Sequence, residues 1–495
     1  MSSELPQGWG ASYLTDVAIF QEGPGLRKWQ FGKSGIPFLN IRTFSDGQID
    51  RSRCQFVKIE EFTGKYEHFL LDEGDIVVSS SGTLGKLAIV RATDLPLMLN
   101  TSTIRFRTRS SEVLTQDFLR WYLQSPRFFR QIEAAKTGSA IFNYGPSHLK
   151  DMDIVLPPVA EQRRIVATLD KLARSIRTCR TGLQRVPAIL KRFRQAVLAA
   201  AYSGRLTADW REHNHNVQPL LCGGSEEVAE PPLDLPESWR WVKWKDVTAK
   251  GKHSFKRGPF GSALKKELFV KEGYKVYEQC CPINDDCTLG KYYVTEEKFR
   301  ELEAFKVNAG DLLISCSGVT LGRITRIPTE FEPGIINQAL LKVTLDEALV
   351  LPAYFVPFFR SDFFQRLIFE NSQGSAIPNV RGAKELKELP IPLAPIAEQR
   401  EIVDRVDELF RVADRIEARQ QCGRRFVDGL VRAILSKAFR GELVPTEAEL
   451  ARREGREYEP ASVLLERIKK MREEETSSVP KRMRTPKAKL ATAKG

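Results

Sequence analysis

The sequence predicts an α+β protein in which two homologous globular domains are each followed by one long α-helix. Three observations predict this fold: an internal repeat through most of the 495 residues, short β-type segments in each copy, and an apolar heptad pattern after each copy. The composition is that of a globular protein, because 42% of the residues are hydrophobic and 28% are charged. At about 150 residues per domain, the length suggests roughly three domains.

The internal repeat consists of segments that return in the same order in the second half of the chain. So many ordered matches exclude a chance similarity, and the period is too long for a solenoid, which repeats every ~20–50 residues. The matched pairs are Leu5-Pro6 to Trp9 with Leu235-Pro236 to Trp239, Gly74-Asp75 with Gly310-Asp311, Thr83-Leu84-Gly85-Lys86 with Thr320-Leu321-Gly322-Arg323, Asn100 with Asn337, Gly138-Ser139-Ala140-Ile141 with Gly374-Ser375-Ala376-Ile377, and Ala160-Glu161-Gln162-Arg163 with Ala397-Glu398-Gln399-Arg400.

The first part of each copy has the pattern of an α+β globule. Short β-type runs such as Asp75 to Ser79 are separated by turns rich in Gly, Pro, Asn and Asp. Helical patterns are mixed in, for example at Asp117 to Phe129. We place the two globules at residues 1–158 and 235–394.

The second part of each copy is predicted to be one long helix, at residues 159–204 and 395–441. Apolar residues recur there in alternating steps of four and three, which is the pattern of a coiled-coil seam. Packing of each helix along its own globule is the alternative, but a stripe of two positions in seven is narrow for a globular core face. The seam is predicted at Ile165, Leu169, Leu172, Ile176, Leu183, Leu190, Ile402, Val406, Leu409, Ile416, Val427 and Leu430.

Both helices have start and stop signals at equivalent places. Pro158 and Pro395 precede the first turn, where a missing N–H costs nothing. Gly204 and Gly441 follow the last turn, where a left-handed residue commonly ends a helix. Pro187 is expected to kink the first helix near its middle, because it removes one hydrogen bond.

The remaining segments are polar. Residues 205–234 contain Gly-Gly-Ser and an acidic, Pro-containing run, which indicates an exposed linker. Residues 442–479 are a C-terminal region in which Glu459 to Met471 has the pattern of a short amphipathic helix. Residues 480–495 contain basic side chains and no acid, so they are predicted to form a disordered basic tail.

These motifs, in this order, resemble the specificity subunit of type I restriction-modification enzymes. The resemblance is carried by the Pro-x-Ala-Glu-Gln-Arg junctions at 158–163 and 395–400, by the Leu-Pro-x-x-Trp segments, and by Phe439-Arg440-Gly441-Glu442-Leu443. Residues 459–468 also match the C-terminal region of that family. The resemblance covers nearly the whole chain.

The resemblance implies a fold, a function and a set of partners. Each globule would be a target recognition domain that reads one half of a split sequence on double-stranded DNA. The two helices would pair as an antiparallel coiled coil and fix the spacing between the half-sites. Two modification subunits (adenine methyltransferase) and two restriction subunits (translocase-nuclease) would bind this chain.

The sequence contains no recognisable catalytic motif, so we expect no enzyme and no cofactor. Gly32-Lys33-Ser34 is the nearest approach to a phosphate-binding loop, but Arg27 stands where that loop needs glycine. There is neither a Gly-x-Gly-x-x-Gly loop nor an Asn-Pro-Pro-aromatic motif. The expected role is that of a recognition subunit within a methyltransferase and endonuclease complex.

The cysteines indicate a reduced compartment rather than a metal site. Eight cysteines in so long a chain are not a disulfide scaffold. A zinc site at Cys280, Cys281, Cys287, Cys316 and His253 is conceivable, but no Cys-x-x-Cys pair is present, so buried thiols are favoured. No apolar run is long enough for a membrane span and no signal peptide is recognisable, so a cytoplasmic protein is expected.

The net charge of +13 favours a polyanionic partner. We expect DNA contacts from basic clusters and from polar positions that recur in Gly-rich turns. For Lys86 and Arg323 a solvated turn cation is an equal alternative, and for Asn100 and Asn337 the capping of a local turn is favoured over reading an adenine edge. The DNA-contact candidates are Arg42, Arg51, Arg53, Lys86, Asn100, Lys256, Arg257, Lys265, Lys266, Arg323 and Asn337.

Two other functions remain open from the residues alone. One alternative is an adaptor whose globules bind protein and whose helices act as a spacer. The other alternative is a self-sufficient methyltransferase. The basic charge argues mildly against the first, and the missing cofactor motifs argue against the second.

Overall fold

The computed structural model describes residues 5–45, 47–134, 143–215, 232–259, 261–317, 320–369 and 381–478. These residues divide into two compact units. Unit 1 consists of Met1–Leu183 and Cys422–Gly495, and unit 2 consists of Gln184–Gln421. Each unit therefore contains one globule and one half of each long helix.

The elements of the first globule, in chain order, are short. The strands are β1 (Gly10–Tyr13), β2 (Ala18–Glu22), β3 (Phe31–Gly32), β4 (Ile36–Phe38), β5 (Phe44–Ser45), β6 (Gln48–Ile49), β7 (Gln55–Val57), β8 (Ile76–Ser79), β9 (Leu87–Ile89), β10 (Thr103–Thr108) and β11 (Asp153–Leu156). The helices are α1 (Leu14–Val17), α2 (Ile59–Phe62), α3 (Gln116–Tyr122), α4 (Pro126–Ala134) and α5 (Pro146–Leu149).

The rest of the chain follows the same plan. The first long helix is α6 (Val159–Tyr202), and α7 (Ala208–His213) follows it. The second globule has strands β12 (Arg240–Lys243), β13 (Phe255–Arg257), β14 (Tyr274–Tyr277), β15 (Tyr293–Val294), β16 (Leu312–Ser315), β17 (Ile324–Arg326), β18 (Gly334–Ile336), β19 (Leu340–Val343) and β20 (Pro390–Leu393). Its helices are α8 (Cys280–Asn284), α9 (Glu296–Glu301), α10 (Pro352–Phe359), α11 (Asp362–Phe369) and α12 (Ala383–Lys387), and α13 (Ile396–Ala438), α14 (Glu447–Glu454) and α15 (Ala461–Ser478) follow.

Two of the sheets have the same topology in both globules, which confirms the duplicated α+β fold. A four-stranded antiparallel sheet has the order β2-β10-β8-β9 in one copy and β13-β19-β16-β17 in the other. A two-stranded sheet pairs the first and last strands of each globule, β1 with β11 and β12 with β20. Each last strand leads directly into a long helix, so this pair positions the start of that helix. The remaining small sheets differ, with β3-β7-β4 and β5-β6 in the first globule and β15-β14-β18 in the second.

The end of each long helix packs into the aromatic core of a globule. In unit 1 the ring of Phe439, directly after α13, lies 5.2 Å from Phe118 and 5.8 Å from Tyr122. In unit 2 the ring of Tyr202, the last residue of α6, lies 5.1 Å from Tyr354. Both side chains are buried, so each core depends on residues that are distant in the sequence.

The long helices pair antiparallel within each unit, which confirms the predicted arrangement. In unit 1, Arg180 of α6 pairs with Asp428 of α13 at 2.7 Å, whereas the earlier Arg164 pairs with Glu447, beyond the end of α13. In unit 2, Arg194 of α6 pairs with Asp414 at 2.7 Å. Later residues of one helix thus face earlier residues of the other.

Most of the predicted seam residues are covered. The buried ones are Ile165, Leu169, Leu190, Ile402 and Val406. The partly buried ones are Leu172, Ile176, Leu183, Leu409 and Val427. The seam side chains are therefore most buried near the ends of the helices, where a globule packs against them.

Two predicted seam residues are wrong. Ile416 is 43% exposed and Leu430 is 38% exposed. Glu417 faces α6 instead and pairs with Arg194 at 2.9 Å, and Val431 packs against the core of unit 1. Ala413 and Gln420, the heptad positions on either side of Ile416, are buried, so the register is kept around Ile416. Near Leu430 the inner face has moved on by one residue to Val431 and Leu435, as expected when a straight α-helix drifts by ~20° in each seven-residue repeat.

The predicted helix ends are close to the observed ones. Gly204 and Gly441 have φ values of +75° and +74°, which is the left-handed conformation expected after a helix. The helix α6 is continuous through Pro187, and a bend at that residue stays a prediction. The predicted amphipathic helix near the C-terminus is α15.

Part of the predicted linker is folded. Arg205–Thr207 form a 3-10 turn, and α7 follows it. Residues 216–231 and the predicted basic tail at 480–495 lie outside the described residues. The Gly-Ser-Ala-Ile segments at 138–141 and 374–377 lie outside them as well.

Candidate nucleic-acid interface

The most constant motifs of the repeat meet where each globule joins its long helix. In unit 1 the indole N–H of Trp9 donates to Oε1 of Glu161 at 2.8 Å, and the backbone N–H of Glu447 donates to Oε2 at 2.8 Å. Glu161 is fully buried, and burial raises its pKa although both hydrogen bonds favour the carboxylate. This carboxylate therefore joins three distant segments of unit 1.

Unit 2 has the equivalent joint. Trp239 Nε1 donates to Oε2 of Glu398 at 2.7 Å, and Thr207 Oγ1 donates to Oε1 at 2.7 Å. Arg211 adds an ion pair to the same carboxylate. Because the folded part of the predicted linker supplies two of these partners, it is a component of the joint.

The glutamine after each buried glutamate ties the helix to its globule. Gln162 Nε2 donates to the carbonyls of Val113 and Pro157 at 2.7 and 3.0 Å, and its Oε1 accepts from the N–H of Thr115. Gln399 makes the same three kinds of bond in unit 2. The Ala-Glu-Gln-Arg motif thus has an architectural role.

The Thr-Leu-Gly turns place a cation at the same end of each four-stranded sheet. Ser79 Oγ accepts from the N–H of Lys86 at 2.9 Å, and Ser315 Oγ accepts from the N–H of Arg323 at 3.0 Å. Lys86 is partly buried and Arg323 is exposed. Within the described part of the chain neither side chain has an ion pair, so both charges are available to a ligand.

The repeated asparagines cap local turns, which is the role that the sequence favours for them. Oδ1 of Asn100 accepts from the N–H of Ser102 at 2.9 Å, and Oδ1 of Asn337 accepts from the N–H of Ala339 at 3.0 Å. A carbonyl oxygen used in this way holds the turn that begins β10 or β19. A base-reading role for either residue stays a prediction.

Three predicted arginines of the first globule lie on two neighbouring 3-10 turns. Arg51 donates to the backbone carbonyls of Thr93 and Leu95. Arg53 pairs with Asp50 at 2.9 Å. Arg42 is exposed and has no ion pair among the described residues. Of the three, Arg42 is the one best placed to bind a phosphate.

The turn before Lys86 lies beside this cluster. A Cβ built on Gly82 would lie 2.8 Å from Cδ1 of Ile41. Ile41 precedes Arg42, so the structure brings Arg42 and the Lys86 turn together on one side of the first globule.

In the second globule the predicted cations fall into two groups. Lys256 and Arg257 lie on β13 of the four-stranded sheet, and the ammonium of Lys256 sits 5.1 Å from the ring of Phe305. Lys265 and Lys266 are exposed on a separate 3-10 turn. The structure therefore places these four predicted cations in two separate groups.

The sequence analysis missed a basic turn in the first globule. Arg27 and Lys28 are exposed on a 3-10 turn at the position that Lys265 and Lys266 occupy in the second globule. The signal is a leucine followed by two basic residues in both copies, at 26–28 and 264–266. Aligning the two copies strand by strand would have found it.

Cys281 and Cys316 of the second globule are buried thiols, whereas Cys280 and Cys287 are partly exposed. Burial raises the pKa of Cys281 and of Cys316 to about 12, which disfavours the thiolate that a metal would need. No group of three His, Cys, Asp or Glu residues in the described ranges has the geometry to hold a metal ion.

Comparison with known proteins assigns the family. A family model described as "Type I restriction modification DNA specificity domain" matches residues 6–187 and 236–421. The chain belongs to that family. The two matched ranges correspond to the two copies of the repeat, each with part of its long helix. A type I DNA specificity chain recognises sequence and is not the catalytic component, so the adaptor and methyltransferase alternatives are not favoured.

Curated relatives of this type I DNA specificity chain match it over nearly its full length. The type I restriction enzyme EcoBI specificity subunit of Escherichia coli is 26% identical over 89% of this chain and 87% of that protein. The StySPI specificity subunit of Salmonella potsdam is 26% identical over 89% and 90%. The EcoKI specificity subunit of Escherichia coli K12 is 24% identical over the same shares.

Two solved structures share the fold of this type I chain. One, described as the structural basis of complex assembly and conformational transition of the type I R-M system, has a TM-score of 0.64 at 20% identity and covers 89% of this chain and 100% of that chain. The HsdS subunit from Thermoanaerobacter tengcongensis has a TM-score of 0.55 at 19% identity, with 89% and 99% covered. Within the described ranges, no helix combines the length and the apolar character that crossing a membrane requires.

Proposed function

We propose that this chain reads a split DNA target, with one target recognition domain on each half-site and the paired long helices setting the distance between them. The recognition domains are residues 1–158 and 235–394, and the helices are residues 159–204 and 395–441. The observation that carries the proposal is the duplication of a whole globule on two helices that each contribute to both units. In both copies the equivalent turn has a cation without an ion pair among the described residues.

A split target explains why two such globules are needed. A short half-site offers few base contacts, and each good bidentate contact gives ~1–3 kcal/mol of discrimination. Joining two readers makes the second binding event intramolecular, which multiplies selectivity. Paired helices hold a fixed distance between half-sites, whereas a flexible chain does not.

The proposed partners are two modification subunits and two restriction subunits, acting in the cytoplasm. Each unit exposes large apolar side chains on the long helices: Phe426 and Leu430 in unit 1, and Ile189 and Ile416 in unit 2. Phe426 and Leu430 lie four positions apart on one face of α13, and a contiguous exposed apolar patch is typical of a protein interface. We assign one such surface to each modification subunit, and the restriction subunits then join that assembly.

A footprint of the complex reconstituted with its modification subunits tests this function. We expect two protected blocks of defined sequence, separated by a spacer in which base changes have no effect. Affinity should fall by roughly 10³–10⁵ between 50 and 200 mM salt if 6–10 phosphates are bound. One continuous block, or binding that does not respond to salt, would contradict the proposal.

A further inference from the structure

A basic 3-10 turn occurs at the same place in both globules. It is formed by Lys28–Gln30 in the first globule and by Lys266–Leu268 in the second. In each case the N–H of the next residue, Phe31 or Phe269, donates to the carbonyl of the first residue of the turn. The two turns therefore have the same backbone hydrogen bond.

The chain continues along the same path after each turn. Gly35 and Gly273 have φ values of +136° and +147°. A Cβ on Gly35 would lie 2.0 Å from the carbonyl oxygen of Val57, and one on Gly273 would lie 2.4 Å from that of Val294. Both glycines lead directly into a strand, β4 or β14, so the two turns are structural counterparts.

Three basic positions, in or next to the turns, are common to the two globules. They are Arg27, Lys28 and Lys33 in the first globule, and Lys265, Lys266 and Lys271 in the second. All six side chains are exposed, and no acidic partner is found for them among the described residues. Cations that recur at the same places in two readers suit phosphate groups, which carry no sequence information.

One exposed position differs in chemical type between the turns. It is Trp29 in the first globule, with 62% of its surface exposed, and Glu267 in the second. A tryptophan this exposed, next to cations and away from any core, is available to a ligand.

Hydrogen bonds beside Trp29 fix the backbone of its turn. The adjacent Gln30 is buried, its Nε2 donates to the hydroxyl of Tyr66 at 3.1 Å, and its Oε1 accepts from the N–H of Arg27 at 2.8 Å. A rigid support lowers the entropy lost when the tryptophan makes a contact.

We propose that the residue at this position reads one base of its half-site while the shared cations bind the flanking phosphates. Trp29 contacts the methyl group of a thymine, and the carboxylate of Glu267 accepts a hydrogen bond from the amino group of a cytosine; both groups are displayed in the major groove. This assignment rests on the proposed function, because it requires each globule to bind one half-site. It allows two similar globules to read different bases at the equivalent position.

The test measures binding by the complete complex with its modification subunits. In each half-site, every thymine is replaced in turn by deoxyuridine, which lacks only the methyl group, and every cytosine by 2-pyrimidinone deoxynucleoside, which lacks the amino group. We expect the wild type to lose roughly 4-fold at one thymine of the first half-site, which corresponds to the burial of one methyl group. Trp29→Ala binds the natural duplex more weakly by a similar factor and no longer responds to that change.

Matched variants separate base reading from charge and folding. Glu267→Ala keeps the response to deoxyuridine but loses the response to 2-pyrimidinone in the second half-site. Trp29→Phe keeps the response to deoxyuridine, which shows that the turn is folded. Lys28→Ala weakens natural and substituted duplexes equally and lowers the slope of log K against log salt by about 0.9.

Two outcomes would overturn the assignment in different ways. A Trp29→Ala complex with two protected blocks and the wild-type response to deoxyuridine contradicts the role of Trp29 and leaves the proposed function intact. A wild-type complex without any sequence-specific block contradicts the proposed function and this assignment with it.

Discussion

The indole N–H of Trp239 donates a 2.7 Å hydrogen bond to the buried carboxylate of Glu398, although 159 positions separate the two residues. Trp239 lies directly before β12, the first strand of the second globule, and Glu398 lies in the first turn of α13, which follows that globule. Trp9 and Glu161 form the same bond in unit 1 at 2.8 Å. Two repeated motifs that are far apart in the sequence thus form one joint in each unit.

Replacing Glu398 by alanine should strongly destabilise unit 2. The change removes the partner of Arg211, whose side chain is largely buried, and leaves the N–H of Trp239 without an acceptor. Breaking a buried ion pair from one side costs about 3–5 kcal/mol. Urea unfolding followed by tryptophan fluorescence measures the loss.

An exposed glutamate of the same unit provides the control. Glu388 pairs with Lys243 and Lys245 near the surface, and exposed pairs contribute about 0–1 kcal/mol. Glu388→Ala should therefore leave the unfolding curve nearly unchanged. Equal losses for Glu388→Ala and Glu398→Ala would show that the joint adds nothing to stability.

Two seam residues of α13 should respond differently to the same substitution. Val406 is buried and Ile416 is 43% exposed, although the heptad pattern assigns both to the seam. Val406→Asp places a charge in an apolar core and should unfold unit 2 at temperatures where the wild type is stable. Ile416→Asp should change the melting temperature by only a few degrees, and calorimetry of both variants checks this contrast.

The Ile416→Asp variant also tests the apolar surface that we assign to a modification subunit. If Ile416 contacts a modification subunit, Ile416→Asp weakens assembly while the chain stays folded. Size-exclusion chromatography of the mixed subunits measures this. A normal complex formed by Ile416→Asp would exclude this residue from the interface.

The long helices were predictable because their signals are local. A heptad of apolar residues with Gly204 and Gly441 at the ends specifies a helix without any knowledge of its neighbours. The exposure of Ile416 was not predictable, because the heptad pattern treats it like its neighbours Ala413 and Gln420, which are buried. Burial of Glu161 and Glu398 required tertiary contacts with the preceding tryptophans, which no local pattern shows.

The candidate interface was less predictable than the fold. Lysine and arginine clusters identify cations but not their partners: Arg53 pairs with Asp50, whereas Arg42 remains unpaired among the described residues. Trp29 and Glu267 have no chemical similarity, so their counterpart relation depends on the matching residues before them and on the shared turn geometry.

Two glycines with the same backbone angle should differ in their tolerance of alanine. Gly64 and Gly85 both have a φ of +74°, so the cost of a left-handed alanine, ~1–2 kcal/mol, is common to both. A Cβ on Gly85 would lie 2.3 Å from Cζ of Phe129, whereas none of the described atoms lies within 4 Å of one on Gly64. Overpacking adds ~1–3 kcal/mol at Gly85, so Gly85→Ala should lower stability more than Gly64→Ala in urea unfolding.

The free thiols should react in the order of their exposure. Cys179 and Cys422 are exposed, whereas Cys281 and Cys316 are buried. Because the thiolate is the reacting form and burial raises the pKa of both buried thiols, iodoacetamide at pH 8 should modify the exposed pair first. Mass spectrometry of tryptic peptides over time gives the order, and early labelling of Cys316 in the folded protein would contradict the packing of the second core.

Cys316 should also make the stability of unit 2 depend on alkaline pH. Burial raises the pKa of its thiol from 9.0 to about 12 in the folded state. Its contribution is therefore complete below about pH 9 and falls as the pH rises towards 12, because only the unfolded chain ionises in that range. Between pH 8.5 and 10 the wild type should lose about 1 kcal/mol more than Cys316→Ala, measured by urea unfolding at both pH values. Parallel losses in the two proteins would mean that this thiol ionises in the folded state as readily as in the unfolded chain.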